Sequence, residues 1–274
     1  RDSVASRGLG DVYKRQEHPY FQRLRRIKQL GLSDYVYPGA IHTRFSHALG
    51  AMHLMRKTLD SLRDKGHMIY EAEYEGALIA ILLHDIGHGP FSHTLEFSLF
   101  KNVTHESITK LALDELNKEF AGKLTLAIEI FKGIYPRKFL TQLVSSQLDM
   151  DRMDYLKRDS FYSGVQEGII GSDRIIHMLN VVNDQLVVES KGIYSIEKFL
   201  IARRLMYWQV YLHKTVLSAE NMLIKVLKRA KELSQSGDEL FGSSALKLFF
   251  QGLKGNKGWE PMWRDPSPLS LIHI

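Results

Sequence analysis

Leu82-Leu83-His84-Asp85-Ile86-Gly87-His88-Gly89-Pro90-Phe91-Ser92-His93 sets an adjacent imidazole and carboxylate at the end of the longest apolar run in the chain, residues 77–83. That run reads as part of a buried helix over residues 74–84, so a charge at its end needs a reason. Imidazole and carboxylate are both good ligands for a divalent metal. Adjacent side chains reach one ion where the helix unwinds beside them, and Gly87, Gly89 and Pro90 supply that ending. The bland alternative for these twelve residues is a helix end with solvated polar groups.

Outward from this stretch the chain is dominated by helical periodicity. Residues 17–30 carry Phe21, Leu24 and Ile27 on one side and read as a helix, followed by Gly31 and a tyrosine-rich turn ending in Pro38-Gly39. Helices are expected over 48–62, 91–100, 105–120, 124–131, 137–147 and 149–159, with Pro136 breaking the chain between two of them. Residues 160–172 hold three glycines and read as a loop. Two alternating runs around Lys191-Gly192, within 185–195, predict a hairpin. Residues 196–233 read as one long helical stretch, and a short helix follows Gly237. The expected class is all-α, with one small β-hairpin.

Composition narrows the chemistry. Of 274 residues, 44% are hydrophobic and 25% charged, the balance of a globular protein. There is no cysteine, which excludes disulfides, thiolate zinc sites and cysteine nucleophiles, so any metal rests on His, Asp or Glu. No apolar run is long enough to cross a bilayer and no secretory signal is visible, which makes a cytoplasmic location the expectation. The net charge of +6 suits a polyphosphate ligand or weak nucleic-acid affinity. Residues 1–16 and 265–274 lack amphipathic pattern and read as non-native or disordered tails. The expected domain spans 17–235, and 236–264 begins a truncated C-terminal helical region.

A His-Asp pair alone does not make a metal site. His47, in Tyr37-Pro-Gly-Ala-Ile-His-Thr-Arg-Phe-Ser-His47, and Asp149 or Asp151, in Asp149-Met-Asp-Arg-Met-Asp-Tyr155, are candidates for the missing ligands. With His84 and Asp85 they give four, leaving room on an octahedral ion for water and substrate. These segments, together with Phe21-Gln-Arg-Leu-Arg-Arg-Ile-Lys-Gln-Leu30, resemble the H…HD…D signature of HD-domain metal phosphohydrolases over residues 17–230. The resemblance is nearest to the deoxynucleoside triphosphate triphosphohydrolases. Asp151 shares a helix face with Tyr155 and Asp159, whereas Asp149 aligns with the apolar Met153 and Leu156. Asp151 is therefore the ligand of choice, which is also the position of the family's metal aspartate, and Asp149 is the structural hydrogen-bonding residue.

The resemblance implies the rest of the site. Arg44, Arg152, Arg203, Tyr155 and Lys214 match positions that hold the triphosphate, whose oxygens need cationic donors. Arg152 replaces a lysine common in the family, which implies bidentate contact in place of a point charge. Gln29 and Asp159 match groups that hold the sugar 3′-hydroxyl. Leu30 and Tyr211 match residues packed against the 2′ carbon, where an added hydroxyl would be buried without a partner. His93, oriented by Glu96, matches the general acid for the leaving 5′-oxygen, and His88 and His105 match residues near the α-phosphate.

The implied reaction converts a deoxynucleoside triphosphate into deoxynucleoside and inorganic triphosphate. It would use one divalent ion (iron, manganese, zinc or magnesium) in a His₂Asp₂ set, and Mg²⁺ accompanying the substrate phosphates. Family members commonly form homo-oligomers, some activated by nucleotides, and no membrane partner is implied. Two other readings remain open on sequence: an HD nucleotidase or phosphodiesterase acting on nucleoside monophosphates or guanosine polyphosphates, and a non-catalytic HD module binding nucleotides or nucleic acid.

Overall fold

The computed structural model describes residues 16–91, 94, 104–243, 246, 247 and 250. Its organising element is α2 (Arg44–Asp64), preceded by the short α1 (Pro19–Gln22). Ala48, Ala51, Leu54, Met55, Leu59 and Leu62 recur at three- and four-residue spacing on α2 and are buried. They pack against α3 (Glu71–Leu83) on one side and α7 (Met150–Ser163) on the other. Helix α3 is buried from Gly76 to Leu83, as expected for a helix apolar on every face, and its second partner is α5 (Thr125–Lys132). Helices α4 (His105–Glu119) and α6 (Lys138–Val144) complete this half. The chain then passes through α8 (Ser172–Met178), β1 (Leu179–Val182), β2 (Gln185–Val188), α9 (Ile193–Met206) and α10 (Lys214–Ser236). The fold is helical with one two-stranded antiparallel sheet. No helix among the described residues is long and apolar enough to cross a membrane.

Several local expectations change. Residues 17–30 are not one helix: α1 gives way to a 3₁₀ turn at Arg23–Arg26, and Ile27 is extended. Lys28 then bridges Thr43, with Gln29 N–H donating to His42 O and Arg44 N–H to Ile27 O, each at 2.9 Å. Those tertiary bonds outweigh helical propensity and set Gln29 and Leu30 beside the start of α2. Helix α2 begins at Arg44, four residues earlier than expected, which brings His47 into its first turn. The hairpin turns at Asn183-Asp184, both at positive φ (50° and 62°), pairing Val182 with Gln185. Lys191-Gly192 instead forms a 3₁₀ turn leading into α9. The expected loop at 160–172 contains the last turn of α7, and α8 follows it, unforeseen. The long C-terminal helix is divided by a π-helical turn at Tyr207–Tyr211 and a break at Leu212-His213. The helix expected over 91–100 lies almost wholly outside the described residues.

Glu73 anchors the start of α3. Its buried carboxylate accepts from Tyr70 N–H (2.9 Å), the Tyr135 hydroxyl (2.9 Å) and Arg137 Nη1 (2.7 Å), tying α3 to the segment entering α6. Glu73→Ala is expected to lower stability by about 2–3 kcal/mol, because three donors lose one acceptor in a water-poor site. Urea unfolding measures this, and Glu73→Gln should recover part of the loss.

Candidate metal centre and its pocket

Three helix ends meet at one point. His47 sits in the first turn of α2, His84 caps the C-terminus of α3, and Asp151 sits in the first turn of α7. His47 Nε2 lies 3.3 Å from His84 Nε2 and 3.0 Å from Asp151 Oδ1, and His84 Nε2 lies 3.5 Å from the same oxygen. The three ligand atoms fall within 4.8 Å of one another. Asp85 borders them: its Oδ1 is 3.3 Å from His84 Nε2, and its Oδ2 is 3.9 Å from His47 Nε2 while accepting from Arg44 Nη1 at 2.5 Å.

The tautomers explain why this trio fits a cation. His84 Nδ1 faces the Ile81 carbonyl at 2.6 Å, and a carbonyl only accepts, so that nitrogen carries the hydrogen. His47 Nδ1 faces Asp154 Oδ2 at 2.8 Å, with the same consequence. Both neutral rings then aim Nε2 lone pairs at each other and at a carboxylate, an arrangement satisfied by a metal or a proton. Without a metal, a proton takes the place. Burial opposes charge on His47, but the hydrogen bonds its ring donates to Asp151 and Asp154 outweigh it and push its pKa up to about 10. His84 is also raised, burial being overcome by Asp85 and Asp151. Asp151 is driven well below the carboxylate range, the desolvation around it being outweighed by both imidazoles.

The sign of the resulting pH dependence follows. Stability from the protonated, metal-free site is fully present below pH 6.5, the ordinary histidine value, and is lost as pH rises through about 10. A metal must displace that proton, so its apparent affinity is expected to strengthen with pH across this window, by up to about tenfold per unit for one proton. Calorimetric titration in buffers of different ionisation enthalpy measures the proton released.

Asp154 is the principal residue that sequence reasoning missed. Besides holding His47, it takes Arg158 Nε at 2.8 Å and Nη2 at 2.9 Å, a bidentate pair one turn along α7. Gly50 makes room for it: a Cβ there would lie 2.0 Å from Asp154 Oδ1. The visible signal was an i, i+4 Asp-Arg pair beginning three residues after Asp151, a spacing common on solvated helices. Asp154→Asn is expected to weaken metal affinity by about 10–100-fold, the usual scale for losing a ligand's carboxylate partner, while the fold survives. Metal competition titration measures it.

The loop after α3 is locked from two sides. Buried Arg23 donates to the carbonyls of Ile86 and His88, the latter at 2.7 Å. Thr109 of α4 accepts from Gly87 N–H at 3.0 Å and donates to His84 O at 3.2 Å. Neither role was legible in sequence, since both depend on groups far along the chain.

The centre opens onto a cavity of about 390 Å³. Gln29, Leu30, Arg44, Asp85, His88, His105, Asp151, Tyr155, Asp159 and Tyr211 all line it, so ten sequence-derived site residues share one wall. His88 and His105 stack at 3.9 Å between ring centroids. Burial, then the Arg44 cation, push the His88 pKa down to about 3, so its ring is neutral at physiological pH. Tyr155 is pushed up to about 12 by burial and by Asp151, and stays a phenol. Asp159 is buried and doubly held, Oδ1 by His42 Nε2 at 2.7 Å and Oδ2 by the Tyr211 hydroxyl at 2.8 Å. Nothing in the sequence marked His42 for this role; it also stacks on Tyr162. Gln29 Oε1 is buried with no partner among the described residues.

Three expected contacts lie outside that wall. Arg152 Nε is turned toward Ser146 O (2.7 Å) and Asp149 Oδ2 (3.2 Å). Arg203 Nη1 is 3.3 Å from Gln147 Oε1, and Lys214 is exposed at the start of α10. Asp149 is the N-cap of α7, accepting from Arg152 N–H at 2.7 Å, as the facial argument required. His93 and Glu96 lie outside the described residues.

Comparison with known proteins agrees with this architecture. Residues 44–159 match the HD domain and residues 170–241 an HD associated region. The chain is 41% identical to protein YwfO of Bacillus subtilis (strain 168) over 79% of its own length and 51% of that protein's. It is 33% identical to the deoxynucleoside triphosphate triphosphohydrolase SAMHD1 homolog of Dictyostelium discoideum, over 80% of this chain and 46% of that one. A crystal structure of a phosphohydrolase from Bacteroides thetaiotaomicron VPI-5482 superposes with a TM-score of 0.89 at 56% identity, covering 94% of this chain and 64% of the other. The chain thus spans about half the length of the curated relatives it matches. With the ordered His47, His84-Asp85 and Asp151 converging at the helix ends of that domain, the chain belongs to the HD-domain phosphohydrolases, near their deoxynucleoside triphosphate triphosphohydrolases.

Proposed function

We propose that this pocket hydrolyses deoxynucleoside triphosphates to deoxynucleoside and inorganic triphosphate. The observation that carries the reading is a single cavity bordered by a metal-ready cluster with Arg44, His88 and His105, and also by Gln29, Asp159 and Tyr211. The first set has the chemistry for phosphate, the second for a sugar. Support comes also from relatives named as deoxynucleoside triphosphate triphosphohydrolases.

His47, His84, Asp85 and Asp151 hold the divalent ion, whether iron, manganese, zinc or magnesium. Bound there, it supplies positive charge and Lewis acidity at the phosphorus under attack. Arg44 neutralises phosphate oxygens from a buried position, and the neutral ring of His88, together with His105, supplies hydrogen bonds beside the α-phosphate. Tyr155 donates as a phenol, while Arg152, Arg203 and Lys214 reach the outer phosphates once substrate is bound. Gln29 and Asp159 hold the 3′-hydroxyl: its single hydrogen goes to Gln29 Oε1, unpartnered among the described residues, and Asp159 lines the cavity beside it. Leu30 and Tyr211 close the space at the 2′ carbon, so a ribose hydroxyl is buried without a partner and disfavoured. Water forms the new P–O bond, the bond from the α-phosphorus to the 5′-oxygen breaks, and His93, oriented by Glu96, protonates that oxygen. Assembly into a homo-oligomer and activation by a nucleotide belong to the same proposal.

Product analysis on metal-replete protein tests the reading, using the four dNTPs, the matched rNTPs, nucleoside monophosphates and single-stranded DNA. Inorganic triphosphate released from dNTPs, with rNTPs much slower, is the expected result. Orthophosphate from monophosphates, or pyrophosphate from any substrate, would replace the proposal with another HD hydrolase activity.

A further inference from the structure

The tyrosine-rich turn after Gly31 ties together two walls of the cavity. On one side it continues the segment that carries Gln29, Leu30 and Ser33: Ser33 N–H donates to Leu30 O at 2.9 Å, and Tyr37 N–H to Ser33 O at 2.8 Å. On the other, the Tyr37 hydroxyl donates to the carbonyl of Gln209, inside the π-helical turn Tyr207–Tyr211. The Tyr37 ring stands edge-on to His213, just past that turn, at 5.9 Å between centroids. Gly39 seats the same segment on α7, since a Cβ there would lie 2.6 Å from Tyr162 O. Burial, then Glu167, push the Tyr37 pKa up, so the hydroxyl keeps the hydrogen it donates.

π-helical turns are rare, and this one rests on an outside partner. In an α-helix the Gln209 carbonyl would accept from the His213 N–H, four residues on. Here Leu212 N–H bonds Tyr207 O at 2.8 Å, five residues back, and His213 N–H turns to Val210 O at 3.3 Å. Tyr37 supplies the donor that the widened turn withdraws from Gln209, whose carbonyl is half-buried and costly to leave unpaired. The turn carries two tyrosines that line the cavity, Tyr207 and Tyr211, with their rings edge-to-face at 5.1 Å. Resting on the reading of this pocket as a deoxynucleoside triphosphate site, we propose that Tyr37 is a positioning residue for sugar selection, its hydroxyl fixing the π-helical turn so that Tyr211 stays close against the 2′ carbon. Without the hydroxyl, the Gln209 carbonyl takes back the His213 N–H, the turn rewinds toward an α-helix, and Tyr207 and Tyr211 shift along the cavity. The space at the 2′ carbon then opens and a ribose hydroxyl is tolerated.

Tyr37→Phe removes the hydroxyl and keeps the ring. The test measures kcat/KM for dATP against ATP and for dGTP against GTP, in the parent and the variant, with triphosphate as the product and with metal content and thermal unfolding alongside. The deoxy-to-ribo ratio is expected to fall by about tenfold, the scale of one lost steric contact, with kcat/KM for the ribonucleotides rising in absolute terms. A gain on ribonucleotides cannot come from misfolding. An unchanged ratio, or an equal loss on both sugars, overturns the role of Tyr37 and leaves the triphosphohydrolase reading standing. A parent that turns over both sugars alike does the same. No triphosphate from any of the four substrates in the parent overturns both.

Discussion

Asp151→Ala is expected to empty the metal centre, weakening divalent-ion affinity by more than about a hundredfold, beyond the range for losing an outer partner. Turnover should fall by about a thousandfold or more, since roughly 4 kcal/mol of barrier lowering is a modest share of metal-assisted phosphoryl chemistry. Removing this carboxylate leaves His47 Nε2 and His84 Nε2 3.3 Å apart with Asp85 as the anionic neighbour that remains to both. The fold should survive, because Asp151 is partly exposed in the first turn of α7 and Asp149 remains as the cap. Asp149→Ala is the informative contrast: loss of the cap should cost about 1 kcal/mol of stability and leave the metal in place. Elemental analysis of purified protein, thermal unfolding and triphosphate release separate the two. Stoichiometric metal retained by Asp151→Ala would remove Asp151 from the ligand set.

His93→Ala is expected to keep metal content and substrate affinity and to lose about 10²–10⁴-fold in kcat, the usual contribution of a positioned general acid. In the proposed reaction the leaving group is an alkoxide oxygen, so a proton must reach it as the bond breaks. His88 is badly suited to supply that proton, because burial, Arg44 and His105 push its pKa down to about 3, leaving no imidazolium at neutral pH. Thr94, next to His93 in sequence, is buried on the cavity wall, and its N–H donates to Phe91 O at 3.0 Å. Single-turnover measurement isolates the chemical step. A kcat within about threefold of the parent would remove the assignment.

Helix α7 marks how far local geometry reaches. From Asp149-Met-Asp-Arg-Met-Asp-Tyr155, helical geometry alone separated the cap from the ligand, because side chains four apart share a face and Asp149 aligned with apolar neighbours. The same geometry offered Asp154 as one more polar helix residue. Its partner His47 lies 107 positions earlier, and nothing local marks a contact of that separation. The first segment shows the opposite failure. Residues 17–30 have helical periodicity, yet the chain leaves the helix at Arg23 so that a guanidinium can hold two loop carbonyls and Lys28 can bridge Thr43. The hairpin was displaced for a comparable reason: Asn and Asp tolerate positive φ as glycine does, so Asn183-Asp184 made a turn where Lys191-Gly192 had seemed the better signal.

What the sequence by itself determined is the set of parts: a helical fold with one hairpin, no thiol chemistry, and an ordered series of His, His-Asp and Asp at helix ends. Periodicity and residue chemistry are local properties, readable over a few turns. Only the tertiary structure decided which nitrogen of each imidazole faces the centre, which carboxylate orients His47, and that the residues expected on the phosphate and sugar sides border one cavity. Those depend on contacts between distant segments, through the close approach of α2 and α7 at Gly50 and the Arg23 and Thr109 bonds to the loop after α3. The His84-Asp85 pair is a local feature; the centre it joins is a property of the packed helices.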